Sequence, residues 1–110
     1  MGKKASAKEA LDNAVNAIQN TVHPRKIYLF GSYADNTHTD ESDLDLCIVI
    51  SLQGLRKIDV LRKIRKAMVQ GVDMPIDLLV YDYDEFNQRS TLTTTMEHKI
   101  ANEGVLLYGQ

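Results

Sequence analysis

Short apolar runs recur along the chain, and their lengths restrict the folds it can adopt. Residues 26–30 (KIYLF), 43–50 (DLDLCIVI) and 76–82 (IDLLVYD) are rich in β-branched, leucine and aromatic residues, and GVLLYG near the end is a shorter run of the same kind. Apolar runs of this length, bounded by turn residues, are typical of strands buried in a sheet. The pattern predicts three central strands and one short closing strand.

Helical periodicity fills the segments between these runs. Apolar residues recur at three- and four-residue spacing from Ala5 to about Gln19, before Pro24, and again from Gly54 to about Gln70. We read Asp84 to Asn102 as one or two helices, with Asp84 or Ser90 as possible N-caps. Helices alternating with strands predict an α/β (α+β) fold.

Composition limits the classes of protein to consider. A chain of 110 residues with 44% hydrophobic and 25% charged residues predicts one small globular domain over residues 1–110. No apolar run approaches the roughly 20 residues that span a bilayer, and the polar start is unlike a signal peptide, so we expect a cytoplasmic protein. A net charge of −2 argues against dedicated nucleic-acid binding. Cys47, the single cysteine, is expected to be a small buried hydrophobe.

Three aspartates are predicted to share one face of the sheet. Side chains alternate across a strand, so Asp43 and Asp45 point the same way, and Asp77 joins them if the second and third strands are neighbours in register. Converging carboxylates repel one another unless a cation offsets their charge. Mg²⁺ prefers oxygen ligands and is commonly held by carboxylates together with substrate phosphates. All three aspartates are therefore candidate metal ligands, and Asp77 is also a candidate acceptor for the proton of an attacking hydroxyl.

Gly31 and Ser32 supply a candidate phosphate site at the end of the first strand. Glycine lets the backbone approach a ligand closely, and the amides that follow can bind phosphate, to which the Ser32 hydroxyl adds a donor. A Gly-Ser pair alone is usually a turn, and an isolated Asp-x-Asp is usually a cap or a surface pair. The Gly-Ser pair and the Asp-x-Asp pair occur here together with Asp77 on the third predicted strand. This combination indicates a site for a nucleotide triphosphate.

These residues resemble the minimal nucleotidyltransferases of the DNA polymerase β-like superfamily. The signature is Gly-Ser, ten residues, then Asp-x-Asp, as in Gly31-Ser32, residues 33–42 and Asp43-Leu44-Asp45. The resemblance implies a mixed sheet flanked by helices, Mg²⁺, ATP as substrate and transfer of AMP to a hydroxyl. Gly31 and Ser32 would bind phosphate, and Asp43, Asp45 and Asp77 would be the catalytic metal ligands.

The resemblance also implies a partner, because these small proteins are commonly antitoxins of a HEPN-type toxin encoded nearby, and some transfer AMP to a tyrosine of that toxin. Relatives with larger second domains hold their acceptor there, so we expect a protein acceptor here. Two other functions stay open: a catalytically silent antitoxin that acts by binding, and a small-molecule (aminoglycoside-like) nucleotidyltransferase. A homodimer through an exposed strand edge also stays open.

One position departs from the family pattern. Many relatives continue Gly-Ser-x-Ala-Arg-Gly, whereas this chain has Asp35-Asn36 at the last two positions. An acid cannot neutralise phosphate as arginine does. Either another basic residue, such as Arg25, Lys26 or Arg89, reaches the triphosphate, or nucleotide binding is weak. We also expect Tyr33 and Tyr81 near the site.

Overall fold

The computed structural model describes residues 7–39, 41–69 and 71–109. Helices and strands alternate through most of the chain. In order they are α1 (Ala7–Thr21), β1 (Lys26–Phe30), α2 (Ser32–Asp35), β2 (Leu44–Ile50), α3 (Lys57–Met68), β3 (Ile76–Asp82), α4 (Tyr83–Ser90), α5 (Met96–Glu103) and β4 (Val105–Tyr108). No helix in the described ranges is long and apolar enough to cross a membrane.

The four strands form one mixed sheet in the order β3-β2-β1-β4. β1 pairs antiparallel with both β2 and β4, whereas β2 and β3 run parallel. The parallel pair needs a crossover, which α3 provides. This architecture confirms the predicted α/β (α+β) class and the mixed sheet flanked by helices.

Helices cover both faces of the sheet. On one face α1 and α3 pack against the alternate residues of β2 that begin at Leu44, with Ala14, Ile18 and Ile64 fully buried. On the other face α4 and α5 cover a smaller cluster of residues: Tyr28, Cys47, Val49, Phe86 and Ile100. Cys47 is buried as predicted, and burial raises the pKa of its thiol to about 12. The aspartates of β2 and β3 share this second face.

The strand predictions are confirmed closely, and the helix ends less so. β1 and β3 have the predicted bounds, while β2 begins at Leu44, so Asp43 lies just before the strand. The predicted start of α1 at Ala5 lies outside the described residues. At its other end α1 continues past Gln19 to Thr21, where the Thr21 hydroxyl donates to the Ala17 carbonyl at 2.6 Å.

The predicted start of the third helix at Gly54 is wrong. Gln53 and Gly54 have φ of 50° and 89°, in the left-handed region, so they form a turn and α3 begins at Lys57. The predicted end at Gln70 lies outside the described residues, and α3 ends at Met68.

The segment from 83 to 103 forms two helices, and neither predicted N-cap is correct. The Asp82 carboxylate, at the end of β3, accepts from the Asp84 amide at 3.2 Å and caps α4. Thr95 caps α5, because its hydroxyl accepts from the His98 amide at 3.1 Å. Asp82 is also the last residue of the apolar run 76–82, so the sequence pattern indicates a strand residue and not a cap.

Candidate active site

Strand register brings two of the predicted aspartates directly together. Asp45, the second residue of β2, lies opposite Asp77 on the parallel neighbour β3 and opposite Phe30 on the antiparallel neighbour β1. Gly31 follows Phe30 immediately, so the end of β1 and the start of β2 meet here. Asp45 is half-buried and Asp77 is exposed. Asp43, also half-buried, precedes the strand by one residue.

The electrostatics of Asp45 reflect this crowding. Burial raises the pKa of Asp45 most, the negative charges of Asp77 and then Asp43 raise it further, and a side-chain hydrogen bond with Asp77 acts in the same direction. Like charges in a partly desolvated place disfavour ionisation. A cation beside Asp45 would stabilise the ionised form of its carboxyl group.

Gly31 lies against the Asp45 carboxylate. Its φ of 77° and ψ of −153° fall in a region that residues with a side chain rarely adopt. A Cβ on Gly31 would overlap the Oδ2 of Asp45 and lie 3.2 Å from its Cγ. Glycine is therefore required here both by the backbone and by the close approach of β2.

The turn after Gly31 positions Ser32. The Gly31 carbonyl accepts from the amides of Ala34 and Asp35, each at 3.1 Å, which closes the short helix α2. Asn36 ends the helix with φ of 60°, in the left-handed region. Gly31 is the N-cap and has no side chain to accept from the first amides of α2. Ser32 thus starts a tight turn directly beside the carboxylates.

Two of the carboxylates are arranged so that they could bind a divalent cation, but they would supply only part of its ligands. Within residues 7–39, 41–69 and 71–109, no three His, Cys, Asp or Glu side chains lie close enough to hold a metal ion by themselves. Mg²⁺ is usually held by one or two carboxylates and completes its shell with water and substrate phosphates. Asp45 and Asp77 meet that requirement, with Asp43 near enough to affect the pKa of Asp45.

Comparison with known proteins identifies the family. The family model described as polymerase beta, nucleotidyltransferase matches residues 12–110. The chain belongs to the polymerase-β nucleotidyltransferase family. A relative from Methanocaldococcus jannaschii, named as a protein adenylyltransferase, is 32% identical over 102 residues, which cover 91% of this chain and 96% of that protein. The chain is a nucleotidyltransferase, and its likeness to the minimal members of the family is confirmed.

Two solved structures share the fold of this nucleotidyltransferase. A nucleotidyltransferase from Sulfolobus solfataricus aligns with a TM-score of 0.60 at 19% identity, covering all of this chain and 93% of that one. A toxin-antitoxin crystallised with AMP-PNP aligns with a TM-score of 0.50 at 21% identity, covering 90% of this chain and 73% of that one. At these identities the likeness is one of fold.

The basic residues suggested for the triphosphate are placed elsewhere in this nucleotidyltransferase. Arg89 donates to the buried Glu97 at 2.6 Å, which joins α4 to α5. Burial is the largest influence on the pKa of Glu97 and raises it, but hydrogen bonds from Arg89, from the backbone and from Tyr81, together with the charge of Arg89, leave that pKa below its usual range. Arg25 lies over the Tyr83 ring at 3.9 Å, and Lys26 pairs with Val49, about 13 Å along the sheet from Asp45. None of these three residues lies at the carboxylates.

The two tyrosines expected near the site differ in position. Tyr33 follows Ser32 and stacks on His38, with ring centroids 4.1 Å apart. Tyr81 pairs with Val49 in the register, about 13 Å along β3 from Asp77, and lies near Phe86 instead. The expectation that Tyr81 lies near the site is therefore wrong, because β3 carries it away from the carboxylate end.

Sequence reasoning missed a cavity beside Gly31. It holds about 130 Å³ between α2 and α5, and its walls include Phe30, Gly31, Asp35, Met96, Lys99 and Glu103. The wall residues that belong to α5 recur at the three- and four-residue spacing of one helix face, and this spacing can be seen in the sequence. The packing of α5 beside α2, which creates the cavity, cannot be predicted from that spacing.

Proposed function

We propose that this nucleotidyltransferase transfers AMP from ATP to a hydroxyl, in a Mg²⁺-dependent reaction, and that the acceptor is a tyrosine of a HEPN-type toxin for which it is the antitoxin. The observation that carries the proposal is the register that places Asp45 opposite Asp77 and beside Gly31, in a chain of the nucleotidyltransferase family.

Each predicted site residue has a role in this proposal. Asp43, Asp45 and Asp77 would hold Mg²⁺, which supplies charge stabilisation to the oxygens of a phosphoryl displacement. The amides after Gly31 and the Ser32 hydroxyl would bind the β- and γ-phosphates. Asp77, the most exposed of the three aspartates, would receive the proton of the acceptor hydroxyl.

The reaction is balanced as a substitution at phosphorus. The oxygen of the acceptor hydroxyl forms a bond to the α-phosphorus of ATP, and the bond from that phosphorus to the oxygen bridging to the β-phosphate breaks. Pyrophosphate leaves with the electron pair of the broken bond, and the hydroxyl proton passes to a carboxylate. The product is an AMP ester of the acceptor.

Two comparisons support the acceptor and the donor. The relative from M. jannaschii is named for adenylyl transfer to protein. The toxin-antitoxin structure contains AMP-PNP, an ATP analogue. A protein hydroxyl and an adenine nucleotide are therefore the substrates to test first.

The experiment is a labelling reaction. Purified protein, α-labelled ATP, Mg²⁺ and the protein encoded by the neighbouring gene are incubated, and label on the neighbour is expected. Asp43→Asn should abolish the label, and changing the acceptor tyrosine to Phe should abolish it too. A matched control is Asp59→Asn, because Asp59 is an exposed acid on α3. Unlabelled neighbour with wild-type protein, under conditions in which ATP binds, contradicts the proposal.

Asp35 gives a specific reason to test a second function, the catalytically silent antitoxin. It lies in the wall of the cavity next to Gly31, where its negative charge would repel a phosphate group. Toxin neutralisation is then compared for wild-type protein and the Asp43→Asn, Asp45→Asn double variant. Neutralisation that survives in the double variant favours binding alone, and its loss with retained complex formation favours AMP transfer.

A further inference from the structure

The outer side of β4 is an open strand edge. The sheet order β3-β2-β1-β4 makes β4 an edge strand, and within residues 7–39, 41–69 and 71–109 no strand pairs with its outer side. Its register with β1 shifts between Ile27 and Tyr28, and this irregularity is on the inner side. An open edge presents main-chain amide and carbonyl groups that can pair with a further strand. The edge therefore selects an extended segment as its ligand.

The side chains of β4 are apolar and largely exposed. Val105 is 44% exposed, Leu106 43% and Tyr108 39%, while Leu107 is half-buried. Natural edge strands are usually protected from further pairing by charged residues or proline, and β4 has neither. Covering such a strand removes apolar surface from water, which is favourable.

A groove extends this apolar surface on the face of the sheet that α1 covers. Its volume is about 290 Å³, and it is lined by Leu107 of β4 and by four residues of α1: Leu11, Asp12, Val15 and Asn16. Leu11, Val15 and Leu107 are partly buried against the main core. A stable interface covers about 800 Å² on each partner, and a four-residue strand is too small to supply that area. An interface at this edge therefore needs the groove on α1 as well as β4.

The two ends of β4 carry opposite charges. Glu103 is exposed and lies two residues before the strand. At the other end, a Cβ on Gly109 would lie 3.1 Å from the Cγ of Lys26, so the Lys26 side chain lies beside that end. Neither Glu103 nor Lys26 belongs to an ion pair among the described residues. Antiparallel pairing of two β4 strands would bring Glu103 of each copy toward Lys26 of the other, whereas parallel pairing would bring like charges together.

We propose that a second copy of this chain covers the edge, with the two β4 strands antiparallel about a two-fold axis. A pairing centred between Leu106 and Leu107 places Leu106 opposite Leu107 of the second copy, and Val105 opposite Tyr108, so no charged side chain is buried. The axis is perpendicular to the sheet, so both α1 helices lie on the same face and their grooves flank the axis. The two four-stranded sheets become one continuous sheet.

The dimer leaves both candidate active sites uncovered by the new strand pair. In each copy Asp45 lies on β2, two strands from β4, and Asp77 lies on β3 at the opposite edge of the sheet. The interface uses none of the three aspartates and neither Gly31 nor Ser32. The inference is therefore independent of the proposed function, and either can fail without the other.

The experiment measures the mass of the full chain by sedimentation equilibrium over a wide range of protein concentrations. Wild-type protein should form a dimer in equilibrium with monomer. Leu106→Lys places two like charges beside the axis and should weaken the dimer at least tenfold. Val69→Lys is the matched control, because Val69 is an exposed apolar residue at 75% exposure just after α3, and it should have no effect.

A charge exchange tests the antiparallel order of the strands. Glu103→Lys and Lys26→Glu, each alone, should weaken the dimer about two- to thirtyfold, because two symmetric opposite-charge pairs are lost. The double variant with both substitutions should recover most of the wild-type affinity. Glu9→Lys, a charge reversal on α1 outside the groove, should show neither the loss nor the recovery when it is combined with Lys26→Glu.

The outcomes decide both the partner and the geometry. Wild-type protein that is monomeric at every concentration overturns the inference, as does a dimer that Leu106→Lys leaves intact. Loss in both single charge variants without recovery in the double variant overturns the antiparallel order. If the wild type is a monomer and Leu106→Lys abolishes its complex with the protein encoded by the neighbouring gene, the edge belongs to that protein. Val105→Lys, at another exposed position of β4, replaces Leu106→Lys should circular dichroism show that variant to be unfolded.

Discussion

Substituting Gly31 by alanine tests the close contact on which the site geometry depends. Alanine must adopt a φ of 77° and a ψ of −153°, which costs about 1–3 kcal/mol in such a sparsely populated region. The new Cβ would also overlap the Oδ2 of Asp45. Moving that carboxylate away from its rotamer adds about 0.5–1.5 kcal/mol. We expect Gly31→Ala to lower the free energy of unfolding by about 1.5–4.5 kcal/mol.

Gly54 provides a matched control for the backbone part of this cost. Its φ is 89°, but a Cβ added there meets no atom within 4 Å. Gly54→Ala should therefore carry only the cost of the left-handed backbone, about 1–2 kcal/mol. Both free energies come from urea unfolding followed by circular dichroism.

A double-mutant cycle isolates the contact with Asp45. In Asp45→Ala the overlapping oxygen is gone, so Gly31→Ala should cost less there by about 0.5–1.5 kcal/mol. The Asp45 Cβ lies 3.5 Å from the added Cβ, an ordinary contact. If Gly31→Ala costs the same in both backgrounds, the steric reasoning is refuted. The single variant should also transfer AMP poorly, because the Asp45 carboxylate is displaced.

Three further predictions follow from the described contacts. The raised pKa of Asp45 means that the folded protein holds this proton more tightly than the unfolded chain, so stability falls as pH rises from the unfolded pKa through the folded one. Asp45→Asn should thus be more stable than wild type at pH 7 but not below about pH 4. Mg²⁺ should raise the Tm of wild type more than that of the variant. A variant that is no more stable than wild type at pH 7 contradicts this prediction. Cys47, buried with a pKa of about 12, should react with iodoacetamide at pH 8 only after unfolding, and labelling of the folded protein would be contrary evidence. Phe86→Ala removes a ring that is 1% exposed and 5.7 Å from the Tyr28 ring, and should lower the free energy of unfolding by about 3–5 kcal/mol, whereas a loss under 1 kcal/mol would show that this cluster is not tightly packed.

The strands and the aspartate pair could be predicted because one physical rule governs both. Side chains alternate in β2, so the residues that must face α1 and α3 leave Asp45 and Cys47 on the other face. The contact between Asp45 and Asp77 needed only the further condition that β2 and β3 are in-register neighbours, which the structure confirms.

Other features depended on interactions that a linear pattern does not contain. Asp82 serves two elements, accepting from the Leu52 amide at 3.1 Å as well as capping α4, and the sequence shows it only as the end of an apolar run. The pairing of Arg89 with Glu97 joins two helices whose packing was not predictable, and it removed Arg89 from the candidate triphosphate ligands. The cavity beside Gly31 arises from the same packing.

The register that builds the core also sets the chemistry of the site. A slip of one residue between β2 and the rest of the sheet would turn Asp45 toward α1 and α3 and remove Leu44 and Leu46 from the face on which they are now buried. That alternative is strongly disfavoured by the cost of burying a carboxylate among apolar side chains. The hydrophobic residues of β2 therefore hold Asp45 beside Asp77 despite the repulsion between them. Burial of the Leu and Ile residues on both central strands, β1 and β2, offsets the repulsion between the two carboxylates.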